Sequence, residues 1–213
     1  VQNKETARRM KVLGVAPGRL FVDGNLKYDI QLSGKDTDKA YPWKQSCSGR
    51  SVWLASSSHP GEHEVLLKAH KLVQAEQPDA CLIIAPRHPE QFEKVAELTR
   101  QSGLKLARRS ELNEIPQDCD VFLADSMGEM MLWGQLASMS FVGGSIIERG
   151  GHNPLEVIAS GSNVMSGRHV FNFPQVYAEL SKVGAVRWVK NAEEIKQAVS
   201  LMQQTAVMKT QHE

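Results

Sequence analysis

Along the chain, short apolar runs rich in β-branched residues alternate with longer stretches in which apolar positions recur at helical spacing. The runs SVWLAS (51–56), CLIIAP (81–86), LKLARR (104–109), DVFLAD (120–125), MSFVGG (139–144), NVMSG (163–167) and AVRWVK (185–190) read as strands. Helical periodicity predicts helices from Pro60 to Gln77, Pro89 to Ser102, Met127 to Ala137, Asn153 to Ser160 and from Ala192 onward. Strand–helix–strand units in series predict an α/β fold, a Rossmann-like parallel sheet with helices on both faces.

Before residue 45 the pattern changes. Ala7, Met10 and Leu13 sit at helical spacing, RLFVDGNLKYD (19–29) reads as a strand and a turn, and the polar stretch SGKDTDKAYPWKQSCSGR (33–50) reads as a linker. The expected organisation is therefore residues 1–45 as the end of one domain plus an interdomain linker, and 46–213 as a ligand-binding domain. The chain begins without an initiator Met, within an expected helix, which suggests a piece of a longer protein.

In such sheets, ligands gather in the crevice outside the carboxyl ends of the strands. Four strand-to-helix turns there carry chemistry. In GGHNPLE, glycines allow close backbone approach, Asn153 suits an N-cap, Pro154 the first turn, and Leu155 and Glu156 open the helix, whose free amides attract phosphate while Glu156 can accept from a ribose diol. The plainer reading is a capped helix with Glu156 complementing its dipole. In PRH, Pro86 ends a strand and projects Arg87 toward the crevice, where its fork of donors can grip a phosphate; the alternative is a surface pair with Glu90. DSMGEMM repeats the geometry with Met127, Gly128 and Glu129, the methionines at 127, 130 and 131 being expected in the core. ASSSHPGEHE offers hydroxyls and amides to an anion. His59 and His63 are four apart, but Pro60 and Gly61 intervene and no third ligand follows, so no metal is expected. His152 reads as a loop hydrogen-bonder. In GNLKYD, Lys27 follows a strand and can offset charge on a departing phosphate.

Composition narrows the classes. Lys plus Arg total 25 against 24 Asp plus Glu, a net charge of +1 that gives no field favouring nucleic acid. Three cysteines without a CxxC pair fit a reducing compartment, and no apolar run approaches a membrane span or a signal peptide. The chain as given is expected to be soluble.

Taken in order, GNLKYD, WLASSSHPGEHE, PRHPEQF, DSMGEMM, FVGGSIIERGGHNPLE and SGRHVFNF resemble the 3-deoxy-D-manno-octulosonic acid (Kdo) transferases of Gram-negative bacteria. The resemblance implies a GT-B glycosyltransferase that moves Kdo from CMP-Kdo to the lipid A precursor, lipid IVA, at the cytoplasmic face of the inner membrane. This chain would be its C-terminal, donor-binding half, with membrane contact and the catalytic base, a Glu, in the absent N-terminal domain. The family's CMP positions fall on Pro86, Arg87, Met127, Gly128, Glu129, Asn153, Pro154, Leu155 and Glu156, and its transition-state stabiliser on Lys27. No cofactor or metal is implied. The family often reads GPH where this chain has Gly167, Arg168 and His169, while Asn172 and Phe173 follow the family. A UDP-sugar epimerase, another GT-B transferase and a non-catalytic nucleotide-binding module remain alternatives. Without the base, the isolated chain is expected to be inactive.

Overall fold

The computed structural model describes residues 1, 4–23, 30 and 32–210, with side chains to residue 202. It divides into two compact units, 1–31 and 32–213. In the first, helix α1 (Lys4–Val12) is followed by a 3₁₀ turn at Pro17–Arg19. Leu20 to Asp23 form no strand, in contrast to the expected one, and the rest of that segment, with Lys27, lies outside the described residues.

The second unit contains seven strands, all parallel: β1 (Val52–Ser58), β2 (Cys81–Pro86), β3 (Leu106–Arg108), β4 (Val121–Leu123), β5 (Met139–Val142), β6 (Asn163–Ser166) and β7 (Val186–Trp188). Their order is β3-β4-β2-β1-β5-β6-β7. The chain runs from β1 to β2, goes out to the edge strand β3, comes back to place β4 between β2 and β3, and then crosses to lay β5 on the other side of β1. The reversal opens a crevice at the carboxyl ends of β1 and β5, where this class of sheet places ligands.

Helices α3 (His63–Gln74), α4 (Phe92–Gln101) and α8 (Ala192–Thr210) cover one face, and α2 (Gly34–Ser46), α5 (Met130–Leu136), α6 (Leu155–Ala159) and α7 (Pro174–Lys182) the other. Strand alternation sorts the core between them: Trp53 and Ala55 of β1 join Leu66, Val95 and Ile195, while Val52 and Leu54 join Trp43, Phe122 and Trp133. Both sides of the central strands are thus covered, which explains why CLIIAP is apolar without interruption.

The segment expected to be a linker is instead α2, and the compact unit begins at residue 32 rather than 46. Ser33 caps the helix: its hydroxyl accepts from the Asp36 amide at 3.3 Å and the Asp36 carboxylate accepts from the Ser33 amide at 3.0 Å. Ala40, Trp43 and Cys47 lie on one buried stripe, and the Trp43 ring meets the Trp133 and Phe122 rings edge-on at 5.1 and 5.7 Å. Helix α7 was not expected either, although Pro174 at its first turn and Val176 and Tyr177 facing the core mark it. The helices expected at 127–137 and 153–160 are shorter than their apolar periodicity suggests. Met127 is 58% exposed, so it is not a core residue as expected, whereas the partly buried Met130 packs against the core and Met131 is partly buried.

If α2 belongs to the core, Trp43→Ala should destabilise the chain by about 3–5 kcal/mol, the usual cost of emptying a buried aromatic site. Urea unfolding followed by fluorescence measures it; a loss under about 1 kcal/mol would return residues 33–50 to the status of a linker.

Candidate functional site

The crevice is built around one buried carboxylate. Glu62, fully buried, follows the turn His59–Gly61 after β1, and its two oxygens accept four backbone N–H bonds. Oε2 takes those of Gly144 at 2.9 Å and His59 at 3.1 Å; Oε1 takes those of Ser145 at 3.0 Å and Ile146 at 3.2 Å. Burial pushes its pKa up, and the four amides offset part of that rise. The bonds tie the loop after β1 to the glycine-rich loop after β5. Close approach does the rest: a Cβ on Gly143 would collide with the Ser57 carbonyl, and a Cβ on Gly150 with the Asn172 amide. Asn172 in turn donates to the Arg149 carbonyl at 2.9 Å, and the Tyr177 hydroxyl to the His152 carbonyl at 3.1 Å.

Beside these loops lies a cavity of about 220 Å³. Pro86, Arg87, Met127, Gly128, Glu129 and Glu156, six of the residues singled out in the sequence, line it together. Ser57, one of the hydroxyls of ASSSHPGEHE, lines it too, as does Trp133, which sequence reasoning passed over. Ser57 has φ +50°, the only non-glycine in the left-handed region among the described residues, where the pairing of β1 with β2 shifts register. Backbone strain of this kind commonly persists at ligand sites. Asn153, Pro154 and Leu155 sit at the start of α6 but are not lining residues; the Asn153 side chain accepts from the Leu155 amide at 3.1 Å, so it caps the helix from one position further out than expected. Helix α6 spans only Leu155–Ala159, which weakens the anion attraction expected of its start.

The three charged candidates, Arg87, Glu129 and Glu156, differ in freedom. No ion pair engages Arg87 among the described residues, and the pairing with Glu90 is absent; its amide donates to the Ser58 carbonyl at 3.0 Å while its side chain is exposed. Glu156 is likewise exposed. Glu129, by contrast, is engaged: Arg109 Nε and Nη2 each reach its carboxylate at 3.2 Å, and the Ser126 hydroxyl donates to it as well. Arg109 also lies over the Trp43 ring, 5.0 Å from its centroid. Asp125 anchors the same loop through Ser110 and Arg108, whose pull outweighs burial and leaves its pKa below the ordinary value. The Met127–Glu129 turn is therefore held from behind, with Gly128 at φ +77° presenting backbone to the cavity. No group of His, Cys, Asp and Glu suited to a metal ion occurs among the described residues.

Comparisons with known proteins agree with this geometry. Over 207 residues the chain is 39% identical to the 3-deoxy-D-manno-octulosonic acid transferase of Haemophilus influenzae, a match covering 94% of this chain and 48% of that protein. It is 31% identical to the probable mitochondrial 3-deoxy-D-manno-octulosonic acid transferase of Arabidopsis thaliana, over 91% of the chain and 45% of that protein. The chain thus spans about half the length of the curated relatives it matches. Among solved structures, the C-terminal CMP-Kdo binding domain of WaaA from Acinetobacter baumannii aligns with a TM-score of 0.74 at 31% identity, over 82% of this chain and 91% of that domain. S. aureus MnaA, solved with UDP, aligns with a TM-score of 0.50 at 17% identity, over 94% of this chain and 49% of that one, a likeness of fold alone. No protein-family model matches the chain.

Glu62→Ala would leave four buried amides without an acceptor, so a loss of at least about 3 kcal/mol is expected. Chemical denaturation, with hydrogen exchange at Gly144–Ile146 rising before the rest of the sheet, is the check; unchanged protection there would remove Glu62 from its bracing role.

Proposed function

The chain belongs to the Kdo transferase family, and on that premise we propose that it is the donor-binding half of such an enzyme, holding CMP-Kdo while Kdo passes to the lipid A precursor lipid IVA. The observation that carries the reading is the cavity at the carboxyl edge, where Pro86, Arg87, Met127, Gly128, Glu129 and Glu156 converge from three separate loops. The A. baumannii domain, described as CMP-Kdo binding, covers nearly the same span.

In this reading Arg87, exposed and in no ion pair among the described residues, takes the CMP phosphate with a charge-assisted bond. Glu156 accepts from the ribose, and Asn153, Pro154 and Leu155 fix the turn that aims it. Met127, Gly128 and Glu129 contribute backbone to the base, since the Glu129 carboxylate is committed to Arg109. Lys27 stabilises charge on the departing CMP, and a Glu of the N-terminal domain deprotonates the acceptor hydroxyl. No metal takes part, because cationic side chains offset the phosphate charge. The acceptor and the membrane, at the cytoplasmic face of the inner membrane, are met through the other half of the whole protein; no described helix is long and apolar enough to cross a membrane.

The experiment is calorimetric titration of the chain with CMP. Arg87→Ala and Glu156→Ala should each weaken binding by about tenfold or more, the scale of one charge-assisted hydrogen bond. Lys27→Ala should leave CMP affinity unchanged, since an interaction made in the transition state is absent from the ground state. Affinity should be the same with chelator and with Mg²⁺. Unaltered affinity in Arg87→Ala, or a large loss with chelator, would contradict this assignment.

A further inference from the structure

Next to the cavity, three histidines from three loops meet. His59 follows β1, His88 follows Arg87 at the end of β2, and His152 closes the glycine-rich loop. The His59 and His152 rings are coplanar, with their Nε2 atoms 2.7 Å apart, and the His88 ring stands edge-on to His59 at 5.5 Å between centroids. A bond that short between two imidazole nitrogens is made by one proton, donated by one ring and accepted by the other. Both rings titrate below the ordinary histidine range, His152 down to about 4, first through burial and then through neighbouring positive charge from the other histidines and Arg87. Arg149 adds to that charge at His59.

The cluster supplies imidazole N–H donors, and Arg87 and Arg149 add positive charge around it. Among the described residues no ion pair engages Arg87, His88, Arg149 or His152, and the nearby carboxylate, Glu62, is filled by four backbone amides. The positive charge of Arg87 and Arg149 is therefore left open to an incoming anion. The cluster is joined to the cavity through the chain: Ser57 and Arg87, which line the cavity, lie two residues before His59 and one residue before His88.

Resting on the proposed donor-binding role, we infer that His59, His88 and His152 form a subsite for the carboxylate of the donor sugar. The chemistry of the donor fits. In a 2-ulosonic acid the anomeric carbon carries both the phosphoester oxygen and the carboxylate, so the two anions are separated by one carbon. A phosphate held by Arg87 brings the carboxylate to the neighbouring histidines. The same subsite would discriminate against sugars whose anomeric carbon carries hydrogen in place of a carboxylate, which leave the donors unpaired. It also leaves the imidazoles poised to gain a proton as the carboxylate docks, since an adjacent anion reverses the direction in which their surroundings now push them.

The test compares CMP with freshly prepared CMP-Kdo as ligands of the full 213-residue chain, by calorimetry, in the native sequence and in H88A, H59Q and H152Q. The native chain is expected to bind CMP-Kdo at least about tenfold more tightly than CMP, on the scale of a charge-assisted hydrogen bond. H59Q and H88A should each erase about five- to tenfold of that preference while changing CMP affinity by less than about twofold. His88 is exposed, so H88A keeps the test valid if the substitutions in the buried pair disturb folding. Equal affinity of the native chain for CMP and CMP-Kdo, or equal losses for both ligands in H88A, would overturn the subsite and leave the nucleotide site standing. Binding of neither ligand would overturn both.

Discussion

The Glu62 carboxylate and the four backbone amides it accepts decide the shape of the whole crevice. Neither loop it joins has regular secondary structure to satisfy its backbone, and each buried N–H left without a partner costs roughly 1–3 kcal/mol. One side chain answers four such donors. It thereby fixes the distance between the ends of β1 and β5, the two strands at which the winding of the sheet reverses. His59 and His152 meet where Glu62 holds the loops that carry them, while Ser57 lies beside Gly143 through the β1–β5 pairing and the Gly143 amide bond to the Ser56 carbonyl. A site preorganised in this way needs little reordering when ligand arrives, so binding energy is not consumed in shaping the cavity.

The central part of the fold was legible because parallel strands covered on both faces leave continuous apolar runs such as CLIIAP and DVFLAD, and because α3 and α4 carry clear amphipathic periodicity. Helix α2 was hidden by its composition. Lys35, Asp36, Asp38, Lys39 and Lys44 with Pro42 read as a polar linker, although Ala40, Trp43 and Cys47 at helical spacing and the capping pair Ser33 and Asp36 carried the signal. The exposed face dominated the count while three apolar residues did the packing. Short helices such as α6 fall below the length at which periodicity speaks at all.

For the site, turn chemistry was enough to bring Arg87, the Met127–Glu129 turn and Glu156 to one edge, since each follows the carboxyl end of a strand. It was not enough to assign their roles. Glu129 was singled out only as part of a strand-to-helix turn, and the fold shows Arg109 and Ser126 holding its carboxylate. Glu62 was quoted within ASSSHPGEHE but passed over in favour of the serines, because three of its four partners lie some eighty residues away in a loop that adjacency cannot reveal. The histidine pair was missed for the same reason, with 93 residues separating His59 from His152.

Family membership, cavity and braced loops converge on one claim, that residues 32–213 form a ready-made seat for CMP at the carboxyl edge of the sheet. A crystal structure of the chain with CMP tests it most directly. The phosphate is expected against Arg87, the ribose against Glu156 and the base over the Met127–Glu129 turn, with the Glu62 bonds to His59, Gly144, Ser145 and Ile146 intact. CMP bound elsewhere on the chain, or bound here only after those four bonds break, would contradict it.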